Sequence, residues 1–461
     1  MVHSYKKPQK TLIAFLISQS ILSTAALAAG FQINEISARL QGDATAGAAA
    51  AYNDVSSMFV NPATLSTLQE SQGYLGFSEI LPSISMSNAS ATHAVNVPGI
   101  FPNGSPVQVQ GRTSEDSISP NAFVPSAYVG WRFTDKLVGG FAMLAPYGLK
   151  TKYSPESVVR FAAQYSAVQT LDLNPALAYA INDKWSVGAG FQAQYILASF
   201  TNFNGAYTGT PLDVALASQF PTHLKGDGWG YGYTLGVLFK PQETTRIGIG
   251  YRSQISESLN GTGEQYVLPG AVVPAPSQDF LFNALTSLSA DIKTPQILTI
   301  SAAQDIDKWT VKASVQGNFW TSFNELNINM PEAFATNSII QTQWQDSWFG
   351  ALGAEYHKNE VWTVRGGVAY DATPTQDAFR DPRIPDANRV WLTAGASYYL
   401  NKNFSVDAAY AHIFMQNQTV NVVQSSGTNA ITTSPLETNQ VYAEYQGCAN
   451  IVALAARYSF N

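Results

Sequence analysis

Charged side chains are scarce in this chain: Asp, Glu, Lys and Arg make up 12% of its 461 residues, about half the share typical of soluble domains. Long apolar runs are missing too. A helix that crosses a bilayer needs about 20 consecutive apolar residues, and nothing past residue 30 approaches that. Any membrane span must therefore be built from strands, because only helices and closed barrels satisfy every backbone polar group in lipid. Cysteine is nearly absent, and the lone Cys448 excludes an internal disulfide. The histidines (His3, His93, His223, His357 and His412) show no ligand spacing, so no metal centre is expected. Net charge is −7, without the basic footprint of a nucleic-acid binder. There is no nucleotide motif, and no cofactor is expected.

What is present is 45% hydrophobic and 12% aromatic, and most of it alternates residue by residue. Trp185, Val187, Ala189, Phe191, Ala193, Tyr195 and Leu197 share one face of a strand; Ser186, Gly188, Gly190, Gln192 and Gln194 share the other. The segments that open at Trp309, Trp362 and Phe404 repeat the pattern. Period-two alternation gives one apolar and one polar or small face. Short turns such as Thr134-Asp135-Lys136, Asn182-Asp183-Lys184 and Asn401-Lys402-Asn403 each precede a strand with an apolar opener, and Trp185, Trp309 and Trp362 sit beside such turns. Aromatics at that level match the girdle of an outer-membrane barrel. Much longer connections lie near 88–118, 150–165, 203–227, 260–292, 372–388 and 417–437. Short turns on one side and long loops on the other are the asymmetry of that class. Counting segments gives an all-β fold, a transmembrane antiparallel β-barrel of about fourteen strands, an even number that puts both ends on the periplasmic side. A secreted soluble sandwich or propeller would need neither the girdle nor the low charge.

The first residues read as an address. Lys6, Lys7 and Lys10 precede an apolar core from Leu12 to Leu22, and Ala26-Leu27-Ala28 is a small-residue cleavage site. The expected organisation is a signal peptide over 1–28, an N-terminal plug over 29–70 and a barrel over 71–461. The plug follows from size. Barrels of 16 or more strands leave an aqueous channel, and fourteen lies near that end. The segment 29–70 is rich in Ala, Gly and Ser and lacks strand alternation, so it can coil inside the wall.

The run Ala29-Gly30-Phe31-Gln32-Ile33-Asn34-Glu35, followed by Asn61-Pro62-Ala63, resembles the outer-membrane long-chain fatty-acid transporter family, which also contains channels for aromatic hydrocarbons. Stretches 145–153, 171–191 and 376–414 agree, and the loops 203–227 and 260–292 match least. The resemblance implies that 29–70 is a hatch with Asn61, Pro62 and Ala63 as its motif, and that Phe31 reaches the substrate pocket. It implies a kink in the third strand at Pro146, Tyr147 and Gly148, through which ligand leaves sideways into the membrane. Chain chemistry agrees there: Pro146 cannot donate a ladder hydrogen bond, and Gly148 relaxes the backbone. An ordinary strand-edge proline is the competing reading. The resemblance also implies a greasy capture groove on the long loops, where Leu212, Leu216, Phe220, Phe280, Phe282 and Leu285 lie; packing of the loops on one another would use the same residues.

One departure stands out. The basic residues that meet a fatty-acid carboxylate in the family align with Asn202 and Ile340, and neither is basic. Arg160, flanked by Phe161, is the nearest replacement, although it could pair Glu156 or a lipopolysaccharide phosphate instead. Lys312, Glu355, Arg365, Asp371 and Asp407 fall on the inner face, where a paired charge ladder is expected. The expected function is passive uptake of hydrophobic molecules, fatty acids first and neutral aromatic or alkane hydrocarbons second, by a monomer in the Gram-negative outer membrane. Its expected partners are those ligands, outer-membrane lipids and the barrel-assembly machinery. An outer-membrane enzyme would need a Ser/His or Asp/His constellation, for which only His412 and His357 offer themselves by type.

Overall fold

The alternating segments do pair into one closed wall. The computed structural model describes residues 30–95, 106–204, 220–265, 286–330, 337–428 and 435–460; the signal-peptide reading lies outside them. Fourteen antiparallel strands form the barrel. They are β1 (Ser71–Val95), β2 (Ala122–Arg132), β3 (Leu137–Leu144 and Gly148–Lys152), β4 (Tyr165–Ala180), β5 (Trp185–Asn204), β6 (Phe220–Gln242) and β7 (Thr245–Arg252 and Ile255–Gln265). They continue as β8 (Thr286–Thr294 and Gln296–Ile306), β9 (Trp309–Phe319 and Glu325–Asn329), β10 (Asn337–Gln341 and Ser347–His357), β11 (Trp362–Asp371), β12 (Arg389–Tyr399), β13 (Phe404–Met415 and Gln418–Thr428) and β14 (Pro435–Phe460). Each pairs with its chain neighbour, and β1 closes on β14 from Ser71↔Phe460 to Val95↔Glu437. Closure leaves no long open edge for lipid to meet.

The faces follow the sequence pattern. Trp185, Val187 and Phe191 on β5, Trp309, Val311 and Val315 on β9, and Leu454 and Tyr458 on β14 are exposed on the outer wall. Their neighbours Ser186, Gln192, Gln194, Thr310 and Lys312 are buried inside. The long connections are a correction. β1 runs to Val95, β6 starts at Phe220, β7 reaches Gln265 and β8 starts at Thr286, all within stretches read as loop. Above the membrane both faces carry Ser, Gly, Asn and Thr, so alternation fades, yet a ladder needs only the backbone.

Residues from Gly30 to Glu70 carry no wall strand. They form short helical turns at Ala38–Gln41, Ala48–Ala50, Val55–Phe59 and Pro62–Thr67. Ile36, Leu40, Val55, Met58, Phe59, Leu65 and Leu68 are buried there with Tyr74, Tyr128, Val138 and Leu144 of the wall.

Candidate ligand pathway and wall opening

The plug is held by space, hydrogen bonds and charge. Asn61 caps the Pro62–Thr67 turn: its Oδ1 accepts from Ala63 N at 3.0 Å, satisfying a donor that the turn leaves open. Its Nδ2 donates to the carbonyls of Ala49 (2.6 Å) and Val237 (3.0 Å), tying the plug to β6. The wall is glycine where the plug touches it. A Cβ on Gly248 would stand 1.7 Å from Ala49 O, one on Gly250 1.9 Å from Val60 O, and one on Gly236 1.9 Å from Asn61 Oδ1. Lys312 donates to Asp43 at 2.8 Å and also to Glu355. Arg365 adds Glu355 at 3.4 Å and Asp407 at 3.9 Å. The inner charge ladder therefore includes Asp43, a plug carboxylate that the sequence did not single out. Glu35 lies buried in the plug, and among the described residues its Oε2 has no hydrogen-bond partner. Burial pushes its carboxyl up to about 7, against the opposing pull of Arg389.

The third strand is broken. Leu144 pairs with Asp172 and Gly148 with Gln169, so Ala145, Pro146 and Tyr147 face only Thr170 and Leu171 of β4. The extra residue is a bulge. Below the break β3 pairs with β2 as far as Leu144↔Ser126. Beyond it, among the described residues, Ala122 to Pro125 of β2 have β1 on one side and no strand on the other. The plug covers this opening from within. Ile33 N donates to Pro146 O and Gly148 N to Phe31 O, both at 2.8 Å, and Gln32 bridges Tyr147.

Phe31 sits in a box of rings. Its centroid lies 4.9 Å from Trp320, 5.6 Å from Trp344, 5.7 Å from Phe323 and 5.8 Å from Tyr147. These edge and tilted contacts are each worth about 0.5–1.5 kcal/mol beyond burial. Gly30 permits the approach: its φ is +68°, and a Cβ there would meet Trp344 at 2.4 Å. Gly30 N donates to Asp386 at 2.8 Å. From the box, one apolar cluster continues through Ile196, Ile292 and Leu326 to Leu224, Leu259 and Leu288 on the inner faces of the strand extensions beyond the membrane level. Below it lies a cavity lined by Gln32, Ile33, Asn34, Arg252, Thr299 and Gln316. The geometry is an apolar track from the outer end of the barrel to a plugged slot in its wall.

Residues 19–460 match the family described as outer membrane protein transport protein (OMPP1/FadL/TodX). The chain belongs to that family. It is 27% identical over 444 residues to the long-chain fatty acid transport protein of Escherichia coli O6:H1, covering 92% of this chain and 95% of that one. It is 27% identical to outer membrane protein P1 of Haemophilus influenzae, with 96% and 99% covered. In fold it resembles a Pseudomonas aeruginosa FadL homologue (TM-score 0.78, 23% identity, 94% and 100% covered) and the Ralstonia pickettii toluene transporter TbuX (0.62, 21%, 94% and 99%). The protein is an outer-membrane barrel of this transport family.

Against that family, the site residues expected from sequence divide. Phe31, Pro146, Tyr147 and Gly148 come together, and Asn61, Pro62 and Ala63 lie on β5 and β6 at Gly188 and Gly236. Arg160 and Phe161 do not join them. Arg160 donates to Gln110 O and Ser157 O, and Phe161 stacks on His93 at 4.0 Å in a separate cluster with Val159, Tyr153 and Tyr445. Asn202 donates to Phe161 O at 3.3 Å, and Ile340 packs against the ring-box cluster. Leu212, Leu216, Phe280, Phe282 and Leu285 lie outside the described residues, as does the side chain of Phe220. Sequence reasoning missed Trp320, Phe323 and Trp344. Their signal was aromatics just past a strand end, where neither girdle nor alternation accounts for them.

Proposed function

We propose that this protein is a passive outer-membrane channel for hydrophobic molecules, long-chain fatty acids foremost, which leave sideways between β2 and β3. The observation that carries the reading is the unbroken apolar cluster from Leu224 and Leu288 to Phe31, whose ring lies against Tyr147 in the break. Ligand enters the track from the extracellular end and reaches the ring box, where Phe31 yields to it. Withdrawal of Phe31 removes the backbone bonds that seal residues 146–148, and the slot opens onto lipid. The wall glycines under the plug and the Asp43–Lys312 pair keep the periplasmic end shut, so water-soluble compounds do not follow. Partition down a hydrophobicity gradient drives the process. In cells lacking another such channel, labelled oleate uptake tests it. Replacing Pro146 and Gly148 together with valine to regularise the strand is expected to abolish uptake while oleate still binds the detergent-solubilised protein. Unchanged uptake would eliminate the lateral route. Neutral aromatic hydrocarbons are the second reading, favoured by the four rings around Phe31; competition between toluene and oleate separates the two.

A further inference from the structure

We infer that Arg252 is the head-group partner for a carboxylate-bearing ligand in the cavity under Phe31, an inference that rests on the channel reading above. Arg252 ends the first part of β7, in lumen phase with Arg246, Gly248 and Gly250, and is 8% exposed. A buried guanidinium needs acceptors, because its donors lose water and are costly when unmet. The other lumen cations have them. Arg246 is held by both oxygens of Asp305 at 2.5 and 2.8 Å. Lys312 has Asp43 and Glu355, Arg365 has Ser397 at 2.9 Å, and Arg389 has Asp386. Arg252 is different. Among the described residues no hydrogen bond reaches its guanidinium, whereas Arg246, Arg365 and Arg389 each leave only one nitrogen unmet. Asp172 stands 3.9 Å away, beyond hydrogen-bond range. Its guanidinium carbon lies over the face of Phe59, 3.8 Å from the ring centroid, a contact that is not a hydrogen bond.

The cavity that Arg252 lines supplies the rest of an amphipathic site. Thr299 and Gln316 are polar neighbours on β8 and β9, and Ile33, Phe59 and Phe349 are apolar ones. Gln32 and Asn34 bond each other at 3.0 Å, and so add polarity without charge. Ile33 reaches from this cavity to Pro146 O, so a head group at Arg252 leaves its acyl chain beside the ring box and the slot. A carboxylate matches the planar fork of a guanidinium, two parallel bonds at once. The charge missing at Asn202 and Ile340 is thus provided from a different strand, nearer the wall opening. Asp172, whose Oδ1 lacks a partner among the described residues, competes with the ligand for the same cation and sets an upper limit on affinity.

The test compares oleate with methyl oleate on the detergent-solubilised full chain, with heat-modifiability on gels as the folding check. Arg252→Gln is expected to weaken oleate binding roughly tenfold to a hundredfold, the range of one charge-assisted contact, and to leave methyl oleate unchanged. Arg252→Lys is expected to recover part of the loss. Asp172→Asn is expected to tighten oleate and not the ester, and it remains informative where the glutamine variant fails to fold. Equal losses for acid and ester in Arg252→Gln, or no preference for oleate gained in Asp172→Asn, would overturn the assignment and leave Arg252 as a staple on Phe59. Wild-type protein that binds neither ligand would refute the channel reading itself.

Discussion

Gly248→Ala is the sharpest probe of whether the plug is fixed to its wall. The added Cβ would stand 1.7 Å from Ala49 O, where ordinary contact begins at 3.4 Å. A backbone atom cannot rotate away as a side-chain tip can, so the Ala48–Ala50 turn must move. Overpacking of this kind costs about 1–3 kcal/mol. Movement also strains two bonds, Ala49 N to Ser301 Oγ at 3.1 Å and Asn61 Nδ2 to Ala49 O at 2.6 Å, each worth about 1 kcal/mol. The total, roughly 3–5 kcal/mol, raises the unseated population by about 150-fold to several thousandfold. A seated plug admits no large polar solute, so the change is readable as single-channel conductance in planar bilayers and as sensitivity of cells to a bulky hydrophilic antibiotic. Gly317→Ala is the control: a Cβ there meets nothing closer than 3.6 Å. Conductance as low in Gly248→Ala as in wild type, with unchanged hydrogen exchange across 48–61, would refute the idea that glycine spacing seats the plug.

Two further outcomes concern charge in the plug. Lys312→Ala leaves Asp43 and Glu355 facing each other without their shared cation; breaking a buried pair costs about 3–5 kcal/mol, so the barrel is expected to unfold at lower temperature on heated gels and to leak in the conductance assay. Glu35 gives a pH dependence of definite sign. Its folded carboxyl titrates near 7 against an ordinary 4.5, so the folded chain binds the extra proton. Its share of plug stability is complete below about pH 4.5 and is lost as pH rises through 7, of order 3 kcal/mol in all. Amide exchange of residues 32–36 is expected to quicken between pH 5 and 8 in wild type beyond the intrinsic base-catalysed rate. Glu35→Gln should remove that excess, and an excess that persists in the glutamine variant would exclude Glu35 as its source.

Several features explain one another. A plug made of short turns would fall out of a smooth cylinder, yet it meets glycines on β5, β6, β7, β10, β11 and β12 and paired charges beside them. Its first residues are tied elsewhere: Gly30 to Asp386, Phe31 to Gly148, and Ile33 to Pro146. The part seated on those glycines lies inside the wall, and the first residues lie at the slot and the ring box.

The wall was legible in the sequence because it depends on local periodicity. Trp185, Val187 and Phe191 must share a face in any extended chain, and tight turns with aromatic openers mark each return of the strand. The weakness at Pro146 and Gly148 was also readable, since a missing donor and a missing Cβ are properties of single residues. The opening itself was not. It exists because Ala122 to Pro125 have no β3 partner beyond Leu144, a fact about a different strand. The ring box was hidden for the same reason: Phe31, Trp320 and Trp344 are far apart in the chain and meet only when the barrel closes. Arg252 carries the contrast furthest. Alternation puts it in the lumen, as it does Arg246 and Lys312, but only the packed structure gives those two a carboxylate in bonding range and leaves the Arg252 guanidinium without a hydrogen bond among the described residues, because acceptors are placed by distance and not by phase.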